Sequence, residues 1–367
     1  MNSKIMKKKN TIIIAIVAVV GIAALIVATL GGRKSTFDQD YHIKDINTIS
    51  KIFIATKQNT TVLLERNFDK EGDSAWTVDG QYTASQPLID LLLETLNTMR
   101  IRQEVNKTAV PNIIKQISAK GIKCEIYQKK YFIDWFNGKI QLFPHEKHTT
   151  TYFVGQETQD NMGTFMYREG DKVPVVVHIP GFRGFIAPRF VADPLKWRSH
   201  RIASLDVHDI ARIELDIPSM PEESFAIFQE GEGFGMELTQ SGSRVGTFDT
   251  ARVAQFLSSF TNLNFDEFAQ VVPKADLDSS FNNGPRTILK IQGTNGFTKE
   301  LKTYIKYSNP DDLEAMPDPE MYNVFDLNRL YAIIDDKDTV LIQYYVFDNI
   351  LQPASFFLGQ NKSFFAR

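Results

Sequence analysis

The sequence predicts an α+β protein with two similar lobes from an internal duplication, each mainly antiparallel sheet with one or two helices, preceded by one transmembrane helix. Three observations lead to this prediction. One uncharged apolar run stands near the start of the chain, alternating apolar patterns dominate the remainder, and one order of strand and helix patterns occurs twice. A repeated unit of this kind builds its own core, so the chain is expected to fold as two lobes.

The transmembrane helix is predicted at residues 11–30, a run without a charged side chain. At roughly 1.5 Å per residue, a helix of this length spans a hydrocarbon core of about 30 Å. Four lysines and no acid stand in the basic segment 1–10, whereas only Arg33 and Lys34 follow the run directly. The positive-inside rule therefore predicts a cytoplasmic N-terminus and a bulk on the other side of the membrane.

A cleaved signal peptide is the alternative to this anchor, because both begin with basic residues and an apolar run. The run is longer than the apolar region of a signal peptide, which is about 7 to 15 residues. Ala28-Thr29-Leu30 is also a poor small-x-small cleavage site. We therefore favour the uncleaved anchor.

The net charge and the cysteine content argue against several kinds of partner and site. Residues 35–367 hold 35 basic and 44 acidic side chains, a net charge of −9. An acidic balance gives no general attraction for nucleic acid, so no nucleic-acid partner is predicted. Cys124 is the only cysteine, which excludes an intramolecular disulfide and a cysteine-based metal site. Its apolar strand pattern predicts a buried, inert thiol.

The first α+β repeat is predicted at residues 35–190. Asp45–Leu63 reads as two strands around a polar turn, and Ala75–Val78 as a third strand. A helix is then predicted from apolar residues at steps of three and four. These residues are Leu88, Ile89, Leu92, Leu93, Leu96 and Met99. Two alternating strands in Tyr152–Arg168 and a type II turn at Pro180-Gly181 follow.

The second α+β repeat is predicted at residues 209–367. Asp209–Phe228 and Gly233–Leu238 repeat the first three strand patterns at an offset of about 160 to 165 residues. The matching helix carries Val253, Phe256, Leu257, Phe260 and Leu263. Two later correspondences are weaker: Cys124–Tyr127 with Leu289–Gln292, and Lys172–Val177 with Thr339–Tyr344.

The inter-repeat linker is predicted at residues 191–208, and a basic, aromatic segment at 182–201 overlaps it. Arginine guanidinium groups beside aromatic rings can bind an anionic or sugar ligand, or an acidic partner surface. The alternative is a structural segment that joins the lobes and packs between them. The residues predicted to contact a partner or ligand are Arg183, Phe185, Arg189, Phe190, Trp197, Arg198 and Arg201.

Three further motifs resemble metal or phosphate sites, but their spacing favours ordinary loops and turns. His145 and His148 lack the i, i+4 spacing of a helical zinc site, which favours a solvated loop. Gly231–Gly235 lacks the βαβ context and the Lys-Ser/Thr of a phosphate loop, which favours a turn. An acidic cluster fits no EF-hand spacing, which favours an exposed loop. It comprises Asp311, Asp312, Glu314, Asp318 and Glu320.

The sequence resembles a family of single-span bacterial envelope proteins that carry a duplicated domain of unknown function. The resemblance is carried by Tyr152–Gly155, Asn161, Gly163-Thr164, Val177–Gly184 and Trp197-Arg198. It implies a single-pass protein of the bacterial inner membrane with its bulk in the periplasm. It supplies no catalytic residue, and it implies a role beside export or motility machinery.

The function predicted from these features is a non-enzymatic binding or scaffold protein of the bacterial envelope, accessory to membrane transport or motility machinery. Its expected partners are the inner membrane, through residues 11–30, and a protein in the membrane or periplasm. No catalytic, cofactor-binding or metal residue is predicted. The alternatives are a hydrolase of envelope glycans, using carboxylates such as Asp206 and Asp209, and a periplasmic ligand sensor with a pocket but no acid–base pair.

Overall fold

A computed structural model describes residues 41–68, 74–135, 140–269, 274–308 and 325–359. The predicted basic segment 1–10 and transmembrane helix 11–30 lie outside these residues. Within the described ranges, no helix has the length and apolar character needed to cross a membrane. The chain divides into two compact units between Trp197 and Arg198, a point inside the predicted linker 191–208.

In its described part, the first unit forms one antiparallel sheet of nine strands with the order β4-β3-β2-β1-β6-β7-β8-β9-β5. The strands are β1 Ile49–Ala55, β2 Thr61–Phe68, β3 Ser74–Val78, β4 Tyr82–Thr83, β5 Arg100–Glu104, β6 Ile122–Trp135, β7 Ile140–Glu157, β8 Thr164–Arg168 and β9 Val175–His178. The helices are α1 Gln86–Thr98, α2 Val110–Lys120 and α3 Pro194–Trp197.

Alternating burial in the strands gives the first sheet two different faces. Side chains such as Ile52 and Ile54 of β1 point into the main core, against the buried side of α1 that carries Ile89, Leu92 and Leu96. The opposite face carries a smaller core, in which Ile113 and Ile117 of α2 pack with Val176. This face also carries charged residues such as Lys51 and Glu65, and α2 packs on only part of it.

The second unit forms a nine-stranded antiparallel sheet in its described residues, with the order β14-β13-β12-β11-β17-β18-β19-β20-β16, and a separate β10–β15 pair. The strands are β10 Arg201–Ala203, β11 Ile210–Asp216, β12 Phe225–Glu230, β13 Gly233–Leu238, β14 Ser243–Arg244, β15 Leu263–Asn264, β16 Glu267–Phe268, β17 Thr287–Gly293, β18 Thr298–Tyr307, β19 Phe325–Ile334 and β20 Asp338–Gln343. The helices are α4 Thr250–Ser258, α5 Lys274–Phe281, α6 Tyr344–Phe347 and α7 Ala354–Phe357.

The two sheets have the same strand order, which confirms the predicted α+β class with two similar antiparallel lobes. Their registers agree in detail. In the first unit, a bulge separates Ile49↔Gln128 from Lys51↔Tyr127. In the second unit, a bulge separates Ile210↔Gly293 from Arg212↔Gln292. The bulges fall at equivalent places, so the predicted match of Cys124–Tyr127 with Leu289–Gln292 agrees with the observed pairing.

One predicted correspondence is displaced. The ladders place Val175 of β9 opposite Met166, and Val340 of β20 opposite Ala332, so Val175 and Val340 are equivalent. The comparison of Lys172–Val177 with Thr339–Tyr344 lies two residues out of this register. A shift of two preserves the alternation of core and outer side chains, so the pattern by itself cannot detect it.

The second predicted helix is shorter than its apolar pattern. Helix α4 ends at Ser258, and Phe260 and Leu263 follow it in a turn and in β15. Both side chains are nevertheless buried in the same core as Val253 and Phe256. Burial rather than helical continuity therefore accounts for their apolar character.

Candidate functional site

Two aromatic residues of the predicted basic segment lie in the core of the first unit. Phe190 and Trp197 are buried, and the Trp197 indole Nε1 donates a hydrogen bond to the Val191 carbonyl at 2.7 Å. Phe185 is half-buried. These rings therefore stabilise the first unit, and the buried pair offers no surface to a ligand.

The arginines of this segment have separate roles. Arg189 Nη1 donates to Thr95 Oγ1 at 2.8 Å, and its guanidinium lies over the Phe182 ring. Arg198 is buried in the second unit, where its Nη2 lies 2.6 Å from the Asp338 carboxylate. Arg183 and Arg201 are exposed. The seven predicted residues therefore do not form one continuous contact surface within either unit.

The other sequence motifs occupy ordinary structural positions or lie outside the described residues. His145 and His148 lie on β7, where the His145 ring stacks on Phe132 and His148 Nε2 contacts Thr151 Oγ1. Gly231, with a φ of 62°, forms the tight β12–β13 turn. The acidic cluster at 311–320 is not among the described residues. Within the described ranges, no group of His, Cys, Asp and Glu side chains could hold a metal ion.

The end of the last strand of the second unit borders an open groove of about 650 Å³. We call it the Tyr345 groove. Its lining residues come from β19, β20 and α6, and they are Asp326, Leu327, Asn328, Arg329, Gln343, Tyr344, Tyr345 and Asp348. The Tyr345 side chain is 90% exposed and Leu327 is 56% exposed. Tyr345 and Leu327 form the exposed rim of the groove. In protein contact surfaces, aromatic and apolar side chains of this kind supply the centre of the contact and polar groups surround them.

Hydrogen bonds hold the polar side of the Tyr345 groove in place. The Asp326 carboxylate accepts bonds from the Lys306 ammonium at 2.8 Å and from the backbone N–H groups of Asn328 and Arg329. Burial opposes ionisation of Asp326, but these donors outweigh it and lower its pKa. Arg329 forms ion pairs with Glu267 and Asp266. Hydrogen bonds and ion pairs therefore fix the charged side chains of the groove, and the exposed Leu327 and Tyr345 stand beside them.

A second depression, of about 490 Å³, lies on the outer face of β11 to β13. We call it the Arg212 groove, after the guanidinium that contacts Glu214 at 3.1 Å and Glu237 at 2.8 Å. The Lys290 ammonium lies 2.8 Å from Glu214. Burial opposes ionisation of Glu214, but Lys290 and Arg212 together lower its pKa. A carboxyl of lowered pKa is a poor general acid.

The sequence patterns did not single out either groove. Tyr344 is partly buried against the core of the second unit, whereas Tyr345 is exposed on α6, which begins directly after Gln343. Arg212 and Glu214 stand on β11 and Lys290 stands on β17, and the pairing of these two strands places Lys290 opposite Glu214. The signal available beforehand was the alternation of charged with apolar residues in β11 and β17, which places these charges on one face.

Comparison with known proteins gives one match. Residues 76–280 match the family described as "Domain of unknown function (DUF4340)". The matched region is more than half of the chain and covers parts of both units. No curated protein and no solved structure matches the chain.

Proposed function

This chain belongs to the DUF4340 family, and on that premise we propose that it is a non-enzymatic binding or scaffold protein of the bacterial envelope. It is tethered to the inner membrane by residues 11–30, its two units lie in the periplasm, and the Tyr345 groove receives a protein partner. The partner belongs to a membrane transport or motility machinery, to which this protein is accessory.

The exposed rim of the Tyr345 groove is the observation that carries this proposal. A tyrosine that is 90% exposed on a helix of only four residues contributes little to the core of its own unit. Tyrosine and arginine are the residues most often found at the energetic centre of protein interfaces. Apolar and aromatic side chains beside a fixed ion-pair network are suited to burial against a protein surface.

The two units also support a scaffold role, and we propose that they arose by duplication. Identical strand order could arise from packing preferences alone, but coincident bulges at the start of β1 and β11 are a finer common feature. The units differ where they are exposed. The second unit carries the Tyr345 groove, whereas the equivalent end of β9 leads into the Pro180-Gly181 turn, where the Phe182 N–H bonds to Ile179 O.

The Arg212 groove is the basis for the second candidate function, a ligand sensor. It offers hydroxyl, amide and charged groups to a small polar molecule. The ion pairs of Arg212, Glu214 and Lys290 already satisfy one another, which weakens this candidate. A glycan hydrolase has less support, because Glu214 lacks a raised pKa and Asp206 and Asp209 are exposed in a single 3₁₀ turn outside both grooves.

Site-specific photo-crosslinking in native membranes tests the protein-partner proposal. A photoreactive phenylalanine replaces Tyr345 in the full chain, and a matched probe replaces Glu232, an exposed residue of the β12–β13 turn in the same unit. We expect one discrete adduct from position 345 and none from position 232. Adding Leu327→Ser should reduce the adduct several-fold, because it removes apolar area from the rim.

Two outcomes contradict the proposal. One is the absence of any adduct at position 345 in membranes that contain the full chain. The other is an identical set of adducts at positions 345 and 232, which indicates collision rather than binding. Urea unfolding of each variant checks that the second unit is intact.

A further inference from the structure

Strands β6 and β7 of the first unit extend beyond the rest of their sheet. The pairing of β1 with β6 ends at Ile49↔Gln128, and the pairing of β8 with β7 begins only at Tyr152↔Arg168. Among the described residues, the outer parts of the two strands therefore pair only with each other. We call this two-stranded extension, residues 129–135 and 140–147, the arm. Its seven β6 residues span about 23 Å.

The arm exposes large apolar side chains. Phe132, Phe143 and Trp135 are 75%, 66% and 61% exposed, and Ile140 and Leu142 are also exposed. Phe143 has a φ of 58°, a conformation that is unfavourable for a phenylalanine. A two-stranded hairpin is marginally stable in water, and a concentration of large exposed apolar side chains marks an interaction site. The arm therefore requires a surface that covers it.

Apolar side chains lie on both faces of the arm. The pairs Trp135↔Ile140 and Ile133↔Leu142 place four of them on one face. Phe132 lies on the other face, where its ring stacks on His145 at a centroid distance of 4.2 Å. A flat protein surface covers only one face of such an arm. A lipid layer surrounds its end and covers both.

Lysines stand behind the apolar end of the arm. Lys147 pairs with Gln128, Lys129 with Glu146, and Lys130 with His145, all on the side nearer the sheet. Glu146 is itself held by the Lys51 ammonium at 3.1 Å. Aromatic residues followed by lysines are typical of segments at the membrane–water interface, where the cations meet anionic headgroups.

The backbone of the arm limits how deeply it enters a membrane. In a two-stranded ribbon, the outward-facing N–H and C=O groups of each strand have no strand to bond to. Such groups cannot enter the hydrocarbon core without a large cost. The arm is therefore suited to the boundary between headgroups and acyl chains, at a depth of about 5–10 Å.

The chain length before the first unit permits this contact. The predicted membrane helix ends at Leu30, and the eleven steps to Tyr41 reach at most about 36–40 Å. The Tyr41 carbonyl accepts a hydrogen bond from the Tyr152 hydroxyl, and Tyr152 pairs with Cys124. The eleven steps from Cys124 to Trp135 span about 36 Å. A tether of this length therefore lets the end of the arm reach the membrane surface.

We propose that the arm inserts its apolar end into the interfacial layer of an anionic lipid bilayer. The lysines at 129, 130 and 147 then lie among the headgroups, and the first unit is held at the membrane by a second contact. Only the reach of the tether rests on the proposed function, because the exposure, the two apolar faces and the lysines are independent of it.

Tryptophan fluorescence tests this proposal in the full chain. The protein has three tryptophans, and Trp76 and Trp197 are 2% and 3% exposed, so Trp135 is the exposed reporter. The chain is reconstituted in vesicles of phosphatidylcholine and phosphatidylglycerol, with and without bromine on the acyl chains. We expect brominated lipid to quench the wild-type emission and to leave W135F unquenched. F132S/F143S should lose the quenching, whereas L88S, an exposed apolar control on α1, should retain it.

Charge and tether are tested in the same preparation. Quenching should be weaker in vesicles of phosphatidylcholine alone, and K129Q/K130Q/K147Q should lose this lipid preference. Carbonate extraction reports the tether separately: a chain that resists extraction with an unquenched Trp135 contradicts the arm but not the anchor. Equal quenching in wild type and W135F overturns the proposal, because it means that Trp135 does not contact lipid. Shielding of Trp135 only when membrane proteins are added also overturns it, because the arm then contacts a protein. Urea unfolding verifies that each variant is folded.

Discussion

At the scale of the residue, charged side chains on the outer sheet faces form ion pairs with neighbours on their own strand and on other strands. Glu214 of β11 lies between Arg212 and Lys290, and Lys51 of β1 lies between Glu65 and Glu146. Such partly exposed pairs stabilise a protein by about 1 kcal/mol or less. The pKa values of Glu214 and Glu146 are lowered, because these ion pairs and hydrogen bonds outweigh the effect of burial, and a lowered pKa is unfavourable for acid catalysis.

Glu214→Gln tests this interpretation through its pH dependence. Lys290 and Arg212 lower the pKa of Glu214 in the folded state, after burial has opposed them. A carboxyl with a lowered folded pKa stabilises above its unfolded pKa of about 4.3, and this stabilisation is lost as the pH falls through the folded value. We therefore expect Glu214→Gln to reduce the free energy of unfolding by about 0.5–1 kcal/mol at pH 7.

The difference between wild type and Glu214→Gln should disappear in urea titrations carried out well below pH 4. Glu232→Gln, at an exposed turn of the same unit, serves as the control and should show little difference at either pH. A difference that persists unchanged at low pH would mean that Glu214 acts through packing rather than charge.

At the scale of the element, the equivalent helices α1 and α4 begin differently. Asp249 caps α4, where its carboxylate accepts bonds from the N–H groups of Ala251 and Arg252 at 3.0 and 3.1 Å. Ser85 stands at the same place before α1, but its side chain makes no capping hydrogen bond. A proline stands in the first turn of α1. It has no backbone N–H, so one of the donors that a cap would have to satisfy is absent there.

This contrast predicts unequal costs for the two capping positions. Asp249→Ala should lower the free energy of unfolding by about 1 kcal/mol, and Ser85→Ala should change it by less than about 0.5 kcal/mol. Asp249→Asn retains an acceptor oxygen and should recover most of the loss. Urea unfolding monitored by circular dichroism measures all three, and an equal loss at positions 85 and 249 would contradict the assignment of the cap.

At the scale of the whole molecule, each unit has its own main core. The core of the first unit includes Leu96 and Trp197, whereas that of the second includes Phe256 and Phe357, and the two cores share no residue. A large-to-small substitution in one core removes buried area and leaves a cavity there.

Hydrogen exchange tests whether the two cores are also energetically separate. Leu96→Ala should cost the first unit about 2–5 kcal/mol and accelerate exchange of the amides in β1, β2 and β6. The amides of β11, β12 and β17 should keep their wild-type rates. Phe256→Ala should produce the reverse pattern, and equal acceleration in both sheets for either variant would contradict separate cores.

Sequence patterns were sufficient for those features that depend on neighbouring residues. Alternation predicted several of the strands, such as β1, β2 and β11, and steps of three and four predicted α1 and α4. Pro180-Gly181 predicted a turn, in which Gly181 has a φ of 82°. The repeat was visible because each unit needs the same apolar positions to bury the same sheet face. Cys124, predicted to be a buried thiol, is buried on β6, where desolvation raises its pKa.

The burial of the basic, aromatic segment at 182–201 could not be predicted from such local patterns. Phe190, Trp197 and Arg198 have the composition of a contact surface, but they are buried, with Trp197 bonded to Val191 O and Arg198 paired with Asp338. Composition is the same for a buried ring and an exposed one. Only the packing of distant strands and helices distinguishes them.

The sequence by itself determined the α+β class, the repeated order of elements and the acidic balance, because each depends on local periodicity or on composition. The anchor at residues 11–30 stays a prediction from the same kind of pattern. The tertiary structure decided which charges meet at Glu214 and how far β6 and β7 extend beyond their neighbours. These outcomes depend on the register between strands that are distant in sequence, and alternation with a period of two leaves that register open.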